Sequence, residues 1–463
     1  MKLNERYADL FNRLLPGPFA IAVLLTMLTF GLAFFFTGQD KDLAAHYTDL
    51  VSYWETGLWD RPLLVFAFQM MLMLVLGHAL ALTRPAEALI EASLRFCTNS
   101  SRAAFIVTLL TVLVSLFNWG LGLIFGAIFA RKVAEHSHKN LIPINYALVG
   151  AAGYSGLMVW HGGISGSSLV KVTESGHLRE MMKGIYNESS LAALPDSIGF
   201  NQTVFSQMNI YVMALVVLIL PLSMYFMARS TGSAPARLQL RQWHMEDENQ
   251  NSRGADRLNQ SRIMAYLFAS FILIGMVVRV WSAGSLANLS FMTPDFINLF
   301  LFFLALVLHG SFNNFVSAVD EAVSGAAGIL IQFPLYFGIM GIMKNSGMVE
   351  ALSQFFVRIS SDFTFPIFTY FSAGIVNIFV PSGGGQWAVQ GPIIIQTAGE
   401  MGIPLPKCIM AMAYGDQLTN MLQPFWALPL LGITGLKAKE IIPYTLYLML
   451  IGFVIYLSAL ILF

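Results

Sequence analysis

The chain has 463 residues, with 26 Lys+Arg against 26 Asp+Glu and a formal net charge of zero. Charged residues make up 11% and hydrophobic residues 56%, where a soluble domain is about 25% charged. These values exclude an ordinary cytosolic enzyme, a nucleic-acid binder with a basic face and a disordered chain, and they point to a protein dissolved in lipid. The two cysteines, Cys97 and Cys408, cannot build a disulfide framework.

Crossing about 30 Å of hydrocarbon takes about 20 mostly apolar residues. The first such stretch, Phe19–Phe36, follows Lys2, Arg6 and Arg13 and lacks a cleavage-site pattern, so it reads as a retained helix. Further spans are predicted near Pro62–Leu82, Asn209–Met227, Ile263–Val280, Phe296–Leu308, Gly325–Met343 and Ile442–Phe463. Asp320 and Glu321, with His309, read as a cytoplasmic turn. The segment His177–Asp196 reads as a solvated loop, and Ala228–Ser261 as a linker between halves.

Four apolar segments are irregular. Ala103–Ala130 is interrupted by FNWGLG, and Ile142–Val170 contains GYSGLMVWHGGISGSS. Phe363–Gln396 contains NIFVPSGGGQWAVQGP, and Cys408–Leu431 contains YGDQLTNMLQPFW. Non-helical backbone at membrane depth survives only where protein or a wet cavity covers it. Three adjacent glycines beside Pro381 argue against a helix there, with Gly384 placed where glycine torsions are needed.

Lys and Arg mark cytoplasmic loops. Lys2, Arg6 and Arg13 put the N-terminus inside, and the acid-rich Gln39–Asp60 reads as an external loop. Arg84, Arg95 and Arg102 on one side of Ala103–Ala130, and Arg131, Lys132 and Lys139 on the other, put both its ends inside. At 28 residues it is too short for two spans, so it reads as a re-entrant hairpin with its tip at Asn118-Trp119-Gly120. Ala228–Ser261, with more Arg than acids, returns to the cytoplasm. The second half then starts from the opposite side and leaves Phe463 outside.

Both halves read as helix, helix, hairpin, broken helix, helix. Asn118 to Tyr154 is 36 residues and Asn377 to Tyr414 is 37. Such inverted repeats with paired discontinuous helices are a signature of secondary transporters. The predicted architecture is an all-α integral membrane protein with about nine full spans, two re-entrant hairpins and two broken helices. The first repeat is 1–228, with hairpin 103–130 and broken helix 142–170. A linker and connecting span occupy 229–295, and the second repeat is 296–463, with hairpin 363–396 and broken helix 408–431.

Hairpin tips and helix breaks bring backbone N–H groups and positive helix ends into the membrane, where they bind carboxylates. No Lys or Arg lies inside the four irregular segments. An anion site is therefore predicted from backbone amides at Gly162, Gly163, Gly383, Gly384 and Gly385, with Asn118, Ser165, Ser167, Ser168, Ser382 and Gln386. Lacking a cationic side chain, it favours a monocarboxylate. Trp119 and Trp387, beside breaks as are Trp160 and Trp426, offer apolar walls. Asp416 lies within a broken span, where intramembrane acids default to function. With Asn118, Asn377, Thr419 and Asn420 it forms a candidate coupling site for Na⁺ or H⁺, and no other cofactor or metal is implied. His161 reads equally as a bond to a freed carbonyl and as a substrate contact or proton carrier.

PSGGGQWAVQGP, Pro381 to Pro392, resembles the bacterial short-chain fatty acid transporter family. So do FNWGLGLIFGA (Phe117–Ala127), YSGLMVWHGGISGSS (Tyr154–Ser168) and AYGDQLTNMLQPFWALP (Ala413–Pro429), and the likeness covers nearly the whole chain. The resemblance implies a secondary carrier of acetoacetate, butyrate or similar acids in the bacterial cytoplasmic membrane. It also implies a homodimer with elevator-like transport and scaffold domains. Neither an enzyme nor a nucleic-acid partner is expected. The rivals are a C4-dicarboxylate carrier, a channel, and a membrane hydrolase or acyltransferase using His161 with Ser165 or Ser168, whose triad lacks an arranged acid.

Overall fold

A computed structural model describes residues 18–38, 42–85, 92–183, 186–234, 256–282, 293–323, 326–381 and 383–463. Lys2, Arg6, Arg13, Ser382, Gly325 and most of the Ala228–Ser261 linker lie outside the described residues. The described chain is helical. Its only β pairings are the isolated bridges Ile144↔Ala234 and Lys183↔Tyr186.

The first half contains α1 (Pro18–Phe36), α2 (Leu43–Leu58), α3 (Arg61–Ala81), α4 (Ser100–Phe117), α5 (Trp119–Asn140), α6 (Tyr146–Tyr154), α7 (Ser167–Lys171), α8 (His177–Met182), α9 (Glu188–Ala193) and α10 (Gln207–Ser230). The second contains α11 (Asp256–Gln260), α12 (Arg262–Ser282), α13 (Pro294–His309), α14 (Phe312–Val323), α15 (Ala327–Asn345) and α16 (Met348–Arg358). It continues with α17 (Phe365–Phe379), α18 (Gly383–Met401), α19 (Leu405–Thr419), α20 (Leu428–Thr434) and α21 (Ala438–Leu462). Six helical stretches of the described chain are long and apolar enough to cross a bilayer, Phe19–Phe36, Leu43–Leu80, Ser100–Phe117, Gln207–Ser230, Arg262–Ser282 and Ala438–Leu462. Large apolar side chains such as Phe226, Phe271, Trp281 and Val454 stand exposed on them. In water such faces would be a liability; in hydrocarbon they are solvated.

Helices α1, α3, α10, α12, α13, α15 and α21 lie where the sequence placed its long apolar stretches, to within a few residues at most ends. Three local expectations differ. Gln39–Asp60 is not simply a loop. It holds α2, capped by the Asp42 carboxylate on the N–H groups of Ala44 and Ala45. His46, Leu50 and Gly57 recur at helical spacing and are buried, while two of the acids that suggested a loop, Asp49 and Glu55, lie between them. α2 packs on α15, where a Cβ on Gly57 would lie 2.4 Å from the Phe337 carbonyl oxygen. The proposed turn after His309 is a second amphipathic helix, α14, entered through Gly310 at φ +72. His309 Nε2 donates to Ala79 O at 2.9 Å, the one role a carbonyl partner allows. The first hairpin also has longer arms than its 28-residue apolar stretch suggested, 18 residues in α4 and 22 in α5. By length alone either arm can span hydrocarbon.

The four irregular segments are the places where helices break. α4 and α5 meet at Asn118, and α17 ends at Phe379 before α18 begins at Gly383. α6 ends at Tyr154, passes through a 3₁₀ turn at Ser155–Met158 and resumes only at Ser167. α19 ends at Thr419 and α20 begins at Leu428. The first hairpin packs on α6, the second on α19, and α10 packs on α21.

Candidate functional site

Asn118 forms the first tip. Its extended backbone (φ −150, ψ 125) ends α4, and its Oδ1 accepts from Leu121 N at 3.0 Å to start α5. The neighbouring amide, Trp119 N, donates to Ser165 Oγ at 3.1 Å, and Ile164 N donates to Leu116 O at 3.1 Å. These bonds tie the first break to the first hairpin. They commit the Asn118 side-chain oxygen to capping.

At the second tip the three glycines open α18 rather than interrupt it, and none has a positive φ. The unwound backbone precedes them. Glycine is needed there for close approach, and at Gly383. A Cβ on Gly383 would lie 2.1 Å from His161 Cε1, 2.3 Å from His161 Nε2 and 3.4 Å from Asp416 Oδ2. A Cβ on Gly384 would meet only Ser167 Cβ, at 4.0 Å.

The two breaks meet across the chain's halves. Gln417 Oε1 accepts from His161 N and Gly162 N, each at 3.1 Å. Tyr154 donates to Asn420 O at 2.9 Å, and Tyr456 donates to Met158 O. Asn209 Nδ2 donates to Gly162 O at 2.8 Å and its Oδ1 accepts from Tyr414 at 2.9 Å. Freed backbone groups are thus satisfied by side chains on the opposing elements, as burial requires.

Asn377, Thr419 and Asn420 come together, but around a donor. Asn377 Nδ2 lies 2.7 Å from Asp416 O, 3.0 Å from Thr419 Oγ1 and 2.9 Å from Asn420 Oδ1. Gln423 Nε2 adds a bond to Asn377 O at 3.0 Å. Their oxygens mostly serve the second break.

His161 and Asp416 face each other. Nε2 lies 3.2 Å from Oδ1, both side chains are fully buried, and the contact is not an aligned hydrogen bond. Among the described residues Asp416 is the only buried acid, and no Lys or Arg is buried. An uncompensated charge at membrane depth costs at least about 2.5–3.5 kcal/mol. Around the pair, Ser168 Oγ, Gln417 Nε2, Asn420 Nδ2, and the indole N–H groups of Trp160 and Trp426 also lack a partner among the described residues. Buried polar groups are nearly always bonded, which makes this concentration the candidate site.

The tryptophans divide. Trp119, Trp160 and Trp426 pack with centroids 5.1, 5.2 and 5.5 Å apart, and Phe66 of α3 joins them. Trp160 also lies 3.9 Å from the His161 ring. Trp387 does not join. Its Nε1 donates to His177 Nε2 at 3.1 Å, in the segment read as a solvated loop. Gln386 is likewise bonded within its hairpin, to Ala373 O and Gln390 Oε1. Ser165 and Ser167 flank the first break, half-buried, with Gly163 held against the Leu116 carbonyl. Gly385 and Gln386 line a cleft of about 350 Å³ between the second tip and α2, α3 and α15. Neither ring nitrogen of His161 is hydrogen-bonded to a serine among the described residues. Sequence reading passed over Gln417, Gln423, Asn209 and Tyr414. Gln417 adjoins Asp416 inside a segment already singled out, whereas Asn209 opens an ordinary span and carries no local signal.

Apolar helices, two breaks and two hairpin tips closing on buried polar groups define a multi-pass membrane transporter rather than an enzyme. The full chain, residues 1–463, matches the family described as short chain fatty acid transporter, and the protein belongs to that family. It is 33% identical over 457 residues, 98% of this chain and 97% of the relative, to an Escherichia coli (strain K12) protein named "Putative short-chain fatty acid transporter". A Haemophilus influenzae protein of the same name is 33% identical over 438 residues, 94% of this chain and 93% of its own. The crystal structure of the Alcanivorax borkumensis YdaH transporter aligns over 96% of this chain and 97% of its own, at 14% identity and a TM-score of 0.43. So distant a likeness decides nothing about mechanism.

Proposed function

We propose that the protein is a secondary active carrier of short-chain monocarboxylates such as acetoacetate and butyrate, driven by an H⁺ or Na⁺ gradient across the bacterial cytoplasmic membrane. The observation that carries this reading is the meeting of both breaks and the second tip on buried, unpartnered polar groups with no buried Lys or Arg among the described residues. The substrate carboxylate is met by backbone N–H groups at Gly383–Gly385, by Ser165, Ser167 and Ser168, and by the positive ends of α5 and α18, while the N–H groups of Gly162 and Gly163 are held by Gln417 Oε1 and Trp160 O. The acyl chain lies along Trp119 and its aromatic neighbours. The coupling cation resides at Asp416. The halves 1–228 and 296–463 act as inverted repeats joined by 229–295, and the hairpins with the broken helices move as one body against a dimeric scaffold. The N-terminus lies in the cytoplasm and the C-terminus outside.

The reading is tested with purified protein in liposomes. Labelled butyrate or acetoacetate should accumulate under an imposed cation gradient, above protein-free liposomes that report passive entry of the neutral acid. Excess unlabelled butyrate should abolish the signal and succinate should leave it. Competition by succinate would reassign the carrier to dicarboxylates, and no protein-dependent uptake under any gradient would overturn it.

A further inference from the structure

We propose that His161 and Asp416 form one proton site, filled once for each carboxylate carried, so that the coupling ion is H⁺. This rests on the carrier reading above and identifies the cation that reading left open.

The two groups come from opposite halves of the chain, His161 in the first break and Asp416 in the last turn of α19, and lie 3.2 Å apart with no exposure. Neither ring nitrogen of His161 and neither oxygen of Asp416 has a hydrogen-bond partner among the described residues. With the imidazole neutral and the carboxyl ionised, the pair holds one negative charge. One added proton makes it neutral overall, as a carboxylic acid beside imidazole or as an ion pair.

The surroundings favour a proton over Na⁺. A hard cation is held by several oxygens at once. Here Asp416 Oδ1 faces an imidazole nitrogen, and the nearby oxygens of Thr419, Asn420 and the Asp416 backbone surround the Asn377 amide nitrogen instead. Among the described residues the other buried imidazoles, His46 and His309, face the Ala33 and Ala79 carbonyl oxygens rather than the pair. α6 contributes Tyr154, α17 Tyr370, α19 Tyr414 and α21 Tyr456, all phenols, whose protons stay on at neutral pH. The tip of α18 contributes Gly383 to Gln386, α10 contributes Asn209 and Met213, and the first tip contributes Asn118 and Trp119, none of which titrates there. His177 bonds Trp387, not the pair.

This arrangement explains obligatory coupling. Gly383, at the head of the amides proposed to hold the substrate, lies against both groups. An ionised substrate and an ionised Asp416 without a proton would put two negative charges in one dry site. Loaded with a proton and a carboxylate, the site carries one negative charge; empty and unprotonated, it again carries one. Each cycle therefore moves one H⁺ and one RCOO⁻ together, taken from water on one side and released to water on the other, with no net charge.

The test uses the full-length protein in liposomes, with acetoacetate as substrate, protein-free liposomes subtracted, and the Asp416→Asn and His161→Gln variants alongside. Exchange of labelled for unlabelled acetoacetate at equal pH checks the carrier reading itself, and its absence in the wild type would sink that reading first. For the wild type we expect about one proton per acetoacetate by external alkalinisation, and no response to a Na⁺ gradient at clamped pH. Both variants should keep exchange at a reduced rate and lose at least tenfold of the accumulation driven by a pH gradient. Na⁺-driven accumulation in the wild type overturns the proposal, as does pH-driven accumulation surviving in either variant. Loss of exchange in both variants, with the protein still monodisperse in detergent, also overturns it by assigning the pair to structure.

Discussion

Gly383 makes the tightest approach at the site, with the position of its missing Cβ 2.1 Å from His161 Cε1. A methyl there must push the ring, and the ring is wedged between Asp416 and Trp160. Gly384, one residue on, faces open space out to Ser167. We therefore predict that Gly383→Ala lowers carboxylate uptake at least tenfold further than Gly384→Ala, measured at matched protein per liposome. Equal loss in the two would mean that the tip needs flexibility rather than contact. The sequence pattern marked this motif for unusual torsions, whereas Gly383 opens α18 without a positive φ and brings backbone against a ring. His161 and Asp416 were legible separately, as polar residues at breaks. Their pairing was not, since nothing local relates residues from opposite halves.

At the scale of elements, the first hairpin is joined to the first broken helix by glycine contacts. A Cβ on Gly126 would lie 2.0 Å from the Gly153 carbonyl oxygen, and one on Gly153 would lie 2.4 Å from that of Gly126. Small residues let membrane helices approach this closely. Gly126→Ala or Gly153→Ala should each destabilise the protein by about 1–3 kcal/mol, read as a fall in melting temperature in detergent. Gly31→Ala and Gly275→Ala, with no atom within 4 Å of the added methyl, should not. The second hairpin is secured differently, by the bond from Trp387 Nε1 to His177 Nε2. Burial holds His177 below the usual imidazole pKa, with Glu174 opposing and Lys171 assisting. A lowered pKa means that the fold prefers the neutral ring, so this contribution is whole above about pH 6.5 and is lost as pH falls through the lowered value. Melting temperature should therefore drop more between pH 7 and pH 5 in the wild type than in His177→Phe, which has no acceptor to lose. Long apolar helices were legible because lipid demands composition as well as length. α2 and α14 were hidden because charged residues interrupt their apolar faces, and the charges were read before the period.

For the whole molecule, the open question is what moves. Phe66 on α3 and Phe333 on α15 stack at 6.3 Å and abut Trp426 and Phe425 of the second break at 5.9 and 4.1 Å. Flat aromatic walls of this kind hold two bodies together without interlocking hydrogen bonds, which suits one body sliding past another. Beside them the cleft of about 350 Å³ separates Met340 on α15 from Val380 and Gln386 at the second tip. If the hairpins and breaks travel as a unit, a covalent bridge across this cleft, from α15 to the end of α17, stops transport. If only the tips open and close, a bridge placed on the scaffold side of the tip slows uptake but spares the rest of the cycle. Cys97 and Cys408 are both buried, so Cys97→Ala and Cys408→Ala give a background for Met340→Cys with Val380→Cys. A bifunctional maleimide of matching length should lower net uptake of that double variant at least tenfold, while a monofunctional maleimide of similar bulk leaves most of it. Exchange should fall in parallel, because both modes need the same excursion. Bridged protein that still exchanges substrate at more than half the unbridged rate would assign alternating access to the tips alone and rule out sliding of the larger body.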